Sequence, residues 1–346
     1  MKVRIRDIGE IYTGNTPSKK NILYWNSDDI GFVKPDIIAD DAIIRINKEK
    51  CKEFISFCAI DKARIVPKNS VFVTCIGSIG KIGISKDRLA FNQQINAIVP
   101  NKNIDKEYLA YALYANKKKL QNIANAPVVP IINKTQFNDF ELNIEFDTNK
   151  QYQITETLNI ISTILDKMNK ELELLDELVK ARFVELFNDK DYPVMKWDEV
   201  FNTTTGKLDS NCAVDNGRYP FFTCSKEVLR IDDYSFNQKA LLLAGNNAAG
   251  KYDVKFYEGK FNAYQRTYVL DLKIDASYQL FKYQLEDKLG YLQQQSLGGL
   301  TKYLTLKILQ SLTFIIPSMD KQKEFDMFVK EVDKSRFFLL IIKPQE

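Results

Sequence analysis

The chain has 346 residues, 45% of them hydrophobic, enough for two ordinary globular cores, and no apolar run approaches the length of a membrane span. It contains no histidine, which removes the commonest general base, the commonest metal ligand and every Ser-His or Cys-His nucleophile. The net charge of +4 is unevenly placed: residues 151–188 carry −3 and leave +7 for the rest, a balance that suits two phosphate-contacting lobes on an acidic rod.

The opening MKVRIRDIGE mixes acidic and basic residues with no apolar core of a signal peptide, so a cytoplasmic location is expected. Cys51, Cys58, Cys75, Cys212 and Cys224 are odd in number and scattered without a CxxC pair, which points to reduced thiols and to no metal site. Residues 1–147 read as a mixed α/β unit. Strands are expected at Ser70–Ile76 and Ala97–Val99, followed by a helix over Lys106–Gln121 with Asp105 as its N-cap.

From 148 to 190 one element dominates. Ile154, Leu158, Ile161, Leu165, Met168, Leu172, Leu175 and Val179 alternate steps of four and three, an a/d seam that wants a partner helix. A helix over about 150–187 would be roughly 57 Å long. Residues 191–317 repeat the first plan, with strands near Ala240–Ala244 and Thr267–Leu270 and a helical stretch near Ser277–Gln295. In 318–346 a second helix begins, with Phe325, Val329 and Val332 matching Ile154, Leu158 and Ile161, but the register meets Arg336. The closing FFLLIIKPQE does not continue the seam, so a shortened distal helix is expected.

The duplication is explicit in the landmarks. Thr13-Gly14 returns as Thr205-Gly206 at an offset of 192, Phe91-Asn92 as Phe261-Asn262 at 170, Ile132–Phe140 as Leu304–Leu312 at 172, and Lys150-Gln151 as Lys321-Gln322 at 171. Two copies share a scaffold and differ in their inserts, as expected of one unit that reads two different things.

Short motifs of catalysis are incomplete. Gly245–Lys251 matches GxxxxGK, yet Tyr252 stands where a hydroxyl should hold Mg²⁺, and YDVKFYEG reads as strand rather than helix. A tight turn bringing backbone and a lysine near an anion is the better reading. Asp253 with Glu258-Gly259-Lys260 imitates a nuclease carboxylate set, but the acids are too close in sequence and the first copy has nothing comparable. A methyltransferase tetrapeptide of the NPPY type and a glycine-rich loop suited to S-adenosylmethionine are both missing from the sequence.

What remains is a polar, basic set in corresponding turns. In the first copy these are Lys19, Lys20, Lys62, Arg64, Ser78, Lys81, Asn92, Gln93 and Gln94; in the second, Lys207, Lys226, Arg230, Asn246, Asn247, Lys251, Tyr264, Gln265 and Arg266. Asn, Gln and Arg pair bidentately with purine edges, while lysines mostly meet phosphates.

The order of these features resembles the specificity subunit of type I restriction–modification systems. The resemblance is carried by DIGEIYTGNTPS with its echo DEVFNTTTGKLDS, by TCIGSIGKIGIS, FNQQINAIVP and NKTQFNDFELNI, and by KARFVELF after the leucine seam. It implies an α/β (α+β) chain of two target-recognition domains joined by a coiled-coil helix, itself without catalysis, cofactor or metal. Each lobe would read half of a bipartite, gapped site in double-stranded DNA, and the helices would set the gap. The methyltransferase (M) subunits they recruit would bring S-adenosylmethionine, and restriction (R) subunits ATP and Mg²⁺. The exposed part of the seam would take a methyltransferase helix or a second copy of this chain. The other readings of the residues are a protein-binding adaptor, or a stand-alone nuclease or methyltransferase.

Overall fold

The structure, a computed structural model, describes residues 1–124, 129–188, 191–248 and 250–342. The chain divides into two compact units, Met1–Ile164 and Leu165–Glu346, with the border inside one long helix. Among the described residues no helix is long and apolar enough to cross a membrane.

The first unit opens with β1 (Lys2–Arg4), α1 (Ile5–Ile8) and β2 (Gly9–Thr13). Eight strands follow: β3 (Ile30–Val33), β4 (Ile44–Ile46), β5 (Glu53–Ile55), β6 (Ile65–Val66), β7 (Val71–Thr74), β8 (Ile82–Ser85), β9 (Leu89–Phe91) and β10 (Ile95–Pro100). Then come α2 (Lys106–Ala115), α3 (Lys117–Ile123), α4 (Lys134–Asn138), β11 (Glu141–Asn143) and the long α5 (Thr148–Phe187). One sheet runs β2-β10-β7-β8-β4 and another β5-β3-β9-β6, while β1 pairs with β11. The two-residue period of β7 divides the core: Val71 and Val73 pack with Leu109, Leu113 and Phe137 of the helices, and Phe72 turns the other way to Val33, Leu89 and Phe91.

The second unit rebuilds this frame. It contains β12 (Val194–Lys196), α6 (Trp197–Val200), β13 (Phe201–Thr205), β14 (Tyr219–Phe222), β15 (Leu229–Ile231), β16 (Phe236–Ala244), β17 (Asn246–Asn247), β18 (Val254–Ala263) and β19 (Thr267–Leu272). It ends with α7 (Tyr278–Asp287), α8 (Leu289–Gln295), β20 (Lys302–Tyr303), α9 (Leu306–Gln310), β21 (Thr313–Ile315) and α10 (Met319–Ile342). Here a single sheet runs β13-β19-β16-β18-β14-β15. β12 pairs with β21 as β1 does with β11, and β13-β19-β16 matches β2-β10-β7.

Both expected lobe helices are broken. Asn116 interrupts the first because its side chain bonds back to the Ala112 carbonyl at 2.8 Å, in competition with the helix ladder. The second breaks at Lys288, which is half-buried and lies over the Phe314 ring at 5.7 Å. Asp105 does cap α2, accepting from the N–H groups of Glu107 and Tyr108.

The repeated Lys-Gln landmark proves to be a mount. Gln151, fully buried, accepts from Asp105 N–H at 2.7 Å and donates to the carbonyls of Asn103 (2.9 Å) and Glu145 (2.6 Å). Gln322 is its counterpart: it accepts from Ser277 N–H at 2.8 Å and donates to the Pro317 carbonyl at 2.8 Å. Asp105 and Ser277 are the N-caps of α2 and α7, so each lobe is pinned to the first turn of a long helix by one amide.

At this end of α5 the lobe takes polar positions and not the apolar stripe. Ile154 and Ile161 are 41% and 44% exposed, whereas Gln151 and Thr155 are buried. The lobe offers unpaired backbone groups at this end, and an amide satisfies them where an isoleucine would not. Further along, Leu158, Leu165, Leu172 and Leu175 are half-buried, Met168 and Val179 buried. Val179 clusters with Leu280 and Tyr283 of α7 and with Phe325, Val329 and Val332 of α10. The distal helix is shortened as expected, with 24 residues in α10 against 40 in α5, but it passes through Arg336 and continues to Ile342. Arg336 does not stop it; its guanidinium pairs with Asp333 at 3.1 Å and with Asp176 of α5. The closing Lys343–Glu346 lies outside the described residues.

Candidate nucleic-acid interface

The candidate edges are built on two glycines that cannot be replaced without moving backbone. A Cβ on Gly14 would lie 2.1 Å from the Asn92 carbonyl oxygen, and one on Gly206 would lie 1.8 Å from that of Ala263. Through this contact the strand leaving the lobe's N-terminal helix is laid directly on the polar turn. The same backbone bonds recur there. Asn92 N–H donates to Val33 O and Ile95 N–H to Asn92 O; Tyr264 N–H donates to Phe222 O and Thr267 N–H to Tyr264 O. The equivalence is therefore Asn92-Gln93-Gln94 with Tyr264-Gln265-Arg266, an offset of 172. This corrects the sequence pairing of Phe91-Asn92 with Phe261-Asn262, which followed matching letters across a slipped register.

In the first lobe, Gln93 is exposed and its Oε1 accepts the Thr16 hydroxyl at 2.7 Å. Asn92 is buried, and its amide donates to Gln94 Oε1 at 2.8 Å, so it shapes the turn from within. Gly77 and Gly80 have φ of 75° and 81°, a left-handed bend that lifts Ser78 into solvent between them. Ser78, Lys81 and Gln94 then line one groove of about 520 Å³ with Lys34, Pro35 and Asp36. Lys34 escaped the sequence reading because nothing in its local pattern sets it apart from other surface lysines. Asn15 joins the next turn, donating to the Lys62 carbonyl at 2.7 Å and accepting from Arg64 N–H. Lys62 and Lys20 are exposed, while Lys19 pairs with Glu53 at 3.0 Å and lies over Trp25.

The second lobe presents a different set on the same frame. Gln265 and Arg266 are exposed; Gln265 faces Asp209 at 3.5 Å, and the Arg266 carbonyl accepts from Gly245 N–H at 2.8 Å. Tyr264 is half-buried, Lys207 and Lys226 are exposed. Arg230 spends two donors on the carbonyls of Gly217 (2.9 Å) and Arg218 (3.1 Å), so it braces a hairpin. Asn246 and Asn247 form a short strand with Lys302 and Tyr303, and Lys251 N–H donates to Asn247 Oδ1 at 3.2 Å.

The phosphate-loop pattern folds as no phosphate loop does. Ala249 lies outside the described residues; Gly250 has φ of 66°, and the chain continues into strand β18 rather than a helix. Asp253 is neutralised by Lys255 at 2.5 Å, and Glu258 pairs with Lys239 at 3.4 Å. Among the described residues no three His, Cys, Asp or Glu side chains gather as they would to hold a metal ion. All five cysteines are free; burial pushes Cys51 to about 11 and Cys75 to about 12, which keeps both as inert thiols.

The family model described as the type I restriction modification DNA specificity domain matches residues 1–176 and again 189–339. The chain belongs to this family. Among curated relatives, the EcoDI specificity subunit of Escherichia coli is 33% identical over 153 residues, covering 42% of this chain and 33% of that protein. The MjaIX specificity subunit of Methanocaldococcus jannaschii is 27% identical over 210 residues, 59% of this chain and 47% of that protein. The chain thus spans about a third and about half of these two relatives. A solved S subunit of a type I restriction–modification system from M. genitalium shares the fold over 100% of this chain and 96% of its own, at a TM-score of 0.58 and 15% identity. The two matched specificity domains bracket the two polar edges, one in each.

Proposed function

We propose that this chain is the DNA sequence-recognition subunit of a type I restriction–modification complex, each lobe reading one half of a bipartite, gapped site. The observation that carries the reading is the paired edge: identical backbone bonds hold Asn92-Gln93-Gln94 in one lobe and Tyr264-Gln265-Arg266 in the other. A constant frame with variable amide and guanidinium side chains is what reading two different base sequences requires. In this reading the long helices set the gap and recruit methyltransferase subunits, which bring S-adenosylmethionine and flip and methylate the target adenine in their own pocket. Restriction subunits, using ATP and Mg²⁺, would join through them. The chain itself would be non-catalytic and cytoplasmic, holding no cofactor. Exposed apolar residues such as Ile154, Ile161, Phe337 and Phe338 suit association with a methyltransferase helix or a second copy.

The test is adenine methylation mapping in cells that carry the chain with its neighbouring methyltransferase. A gapped two-part motif that disappears on deletion of this chain is the expected result. Methylation that persists unchanged without the chain would sink the reading. Cleavage or methylation by the isolated chain would favour an enzyme instead, and lack of any affinity for duplex DNA at low salt would favour the adaptor.

A further inference from the structure

One feature of the first lobe is not absorbed by polar readout. Ile22, Leu23 and Phe57 stand 76%, 60% and 61% exposed on two turns, Ile22–Tyr24 and Phe57–Lys62. These turns are fixed. Ser56 N–H donates to the Tyr24 carbonyl at 2.9 Å and its hydroxyl to that of Leu23. The Asp29 carboxylate caps Phe57 N–H at 2.8 Å and takes the Ser27 hydroxyl at 2.7 Å. Beneath them Trp25 packs edge-on against Phe32 at 5.1 Å. Three large apolar side chains are therefore held out into water by a rigid support, an arrangement that marks a contact surface.

The surroundings say what it contacts. The tip is continuous with the polar edge, because Thr16 bonds Gln93 and Asn15 bridges the backbone of Lys62 and Arg64. Acidic groups of this end are mostly engaged: Glu53 holds Lys19 and Lys34, and Asp29 caps Phe57. Among the described residues, Lys20, Lys62 and Arg64 have no acidic partner, and only Asp61 on these turns opposes them. In the second lobe the stretch that corresponds to Ile22 and Leu23, between β13 and β14, exposes Val214 as its one large apolar side chain, and the stretch after β15 that corresponds to Phe57 exposes Tyr234.

We propose that Ile22, Leu23 and Phe57 form an apolar wedge that seats against the bases of the half-site read by the first lobe, with Lys20, Lys62 and Arg64 on the flanking phosphates. Apolar side chains read thymine methyl groups and insert at yielding base steps, so such a wedge adds shape selectivity that amides alone lack. The proposal rests on the DNA-reader function above. It assigns this mode of recognition to the first lobe.

The native thiol of Cys58, exposed beside Phe57, reports on the tip. In the complex of the full chain with its methyltransferase, iodoacetamide labelling of Cys58 is followed by peptide mass spectrometry. Duplex carrying the mapped motif should slow labelling, and duplex with the first lobe's half-site scrambled should not. The double substitution L23S/F57S should lower affinity for the motif about tenfold, with the slope of affinity against salt unchanged because no phosphate contact is lost. Protection given by the methyltransferase alone, with no further change on adding DNA, would assign the tip to a protein partner and overturn the wedge. Unchanged affinity of the double variant would overturn it too. If the unaltered complex shows no sequence-selective binding at all, the reader function fails and the wedge with it.

Discussion

Asn92-Gln93-Gln94 in the first lobe and Tyr264-Gln265-Arg266 in the second hang from the same backbone bonds, yet little else about the two edges agrees. The first divides its strands between two sheets, carries a groove with Lys34 and Lys81, and ends in the apolar tip. The second gathers the corresponding strands into the one sheet β13-β19-β16-β18-β14-β15 and braces its insert with Arg230. What is kept, Gly14 and Gly206, Gln151 and Gln322, and the caps of α4 and α9 by Asn133 and Thr305, is backbone support. Side chains vary on this support, the buried Asn92 giving way to the half-buried Tyr264 and the half-buried Gln94 to the exposed Arg266. A duplicated scaffold can diverge in specificity only if the positions that fix its hydrogen bonds are separate from those that touch the ligand.

That comparison breaks most visibly at the glycines. Gly14→Ala and Gly206→Ala should each destabilise the protein by about 3–4 kcal/mol, because the new methyl meets a carbonyl oxygen that only a backbone shift can move. Urea unfolding measures it, and a lobe that accepts alanine without loss would show that the shared frame is not shared there. Next come the mounts. Gln151→Ala removes three buried hydrogen bonds and Gln322→Ala two, with expected losses of about 2–3 kcal/mol and somewhat less for the second. Equal losses in thermal unfolding would argue against the extra bond.

Selectivity should separate cleanly by lobe. Q93A/Q94A should relax one half-site and Q265A/R266A the other, by about 1–2 kcal/mol per base read, in binding assays with single-base variants of the methylated motif. Relaxation of both halves by either pair would contradict independent reading.

The smallest expected effect is a difference in acid response. Arg45 grips Glu107 through Nε and a terminal nitrogen, at 3.2 and 2.8 Å, and with Asn159 of α5 it holds the Glu107 carboxyl at about 2. The unfolded chain binds that proton near 4.3, so the stabilisation is complete above that value and is lost as pH falls through about 2. After allowance for screening it contributes about 1 kcal/mol, which Glu107→Gln should remove at neutral pH and leave unchanged in strong acid. Asp326 behaves with the opposite sign: burial raises its carboxyl, partly offset by the Ser277 hydroxyl, so ionisation there opposes folding and the opposition fades as pH falls. Asp326→Asn should therefore stabilise the second lobe at neutral pH. The difference in stability between each single variant and the unaltered chain, followed between pH 2 and pH 7 and flat for both, would remove the distinction.

The sequence by itself determined the duplication, the α/β character of each copy and the long helix between them. These follow from periodicity and from residues whose backbone role admits few substitutes, such as the Thr-Gly pairs and the Asn133 and Thr305 caps. Tertiary structure alone decided where the register truly lies across the polar turn, since a slip of two residues leaves the letters Phe-Asn matched while the hydrogen bonds are not. It also decided that Asn92 and Gln151 face inward, that Ile154 and Ile161 face outward, and that Arg336 bridges two helices instead of ending one. A side chain's worth to a fold depends on which unpaired backbone groups or charges lie opposite it. Those partners come from 46 residues away at Asp105 and 160 away at Asp176, beyond the reach of any local pattern.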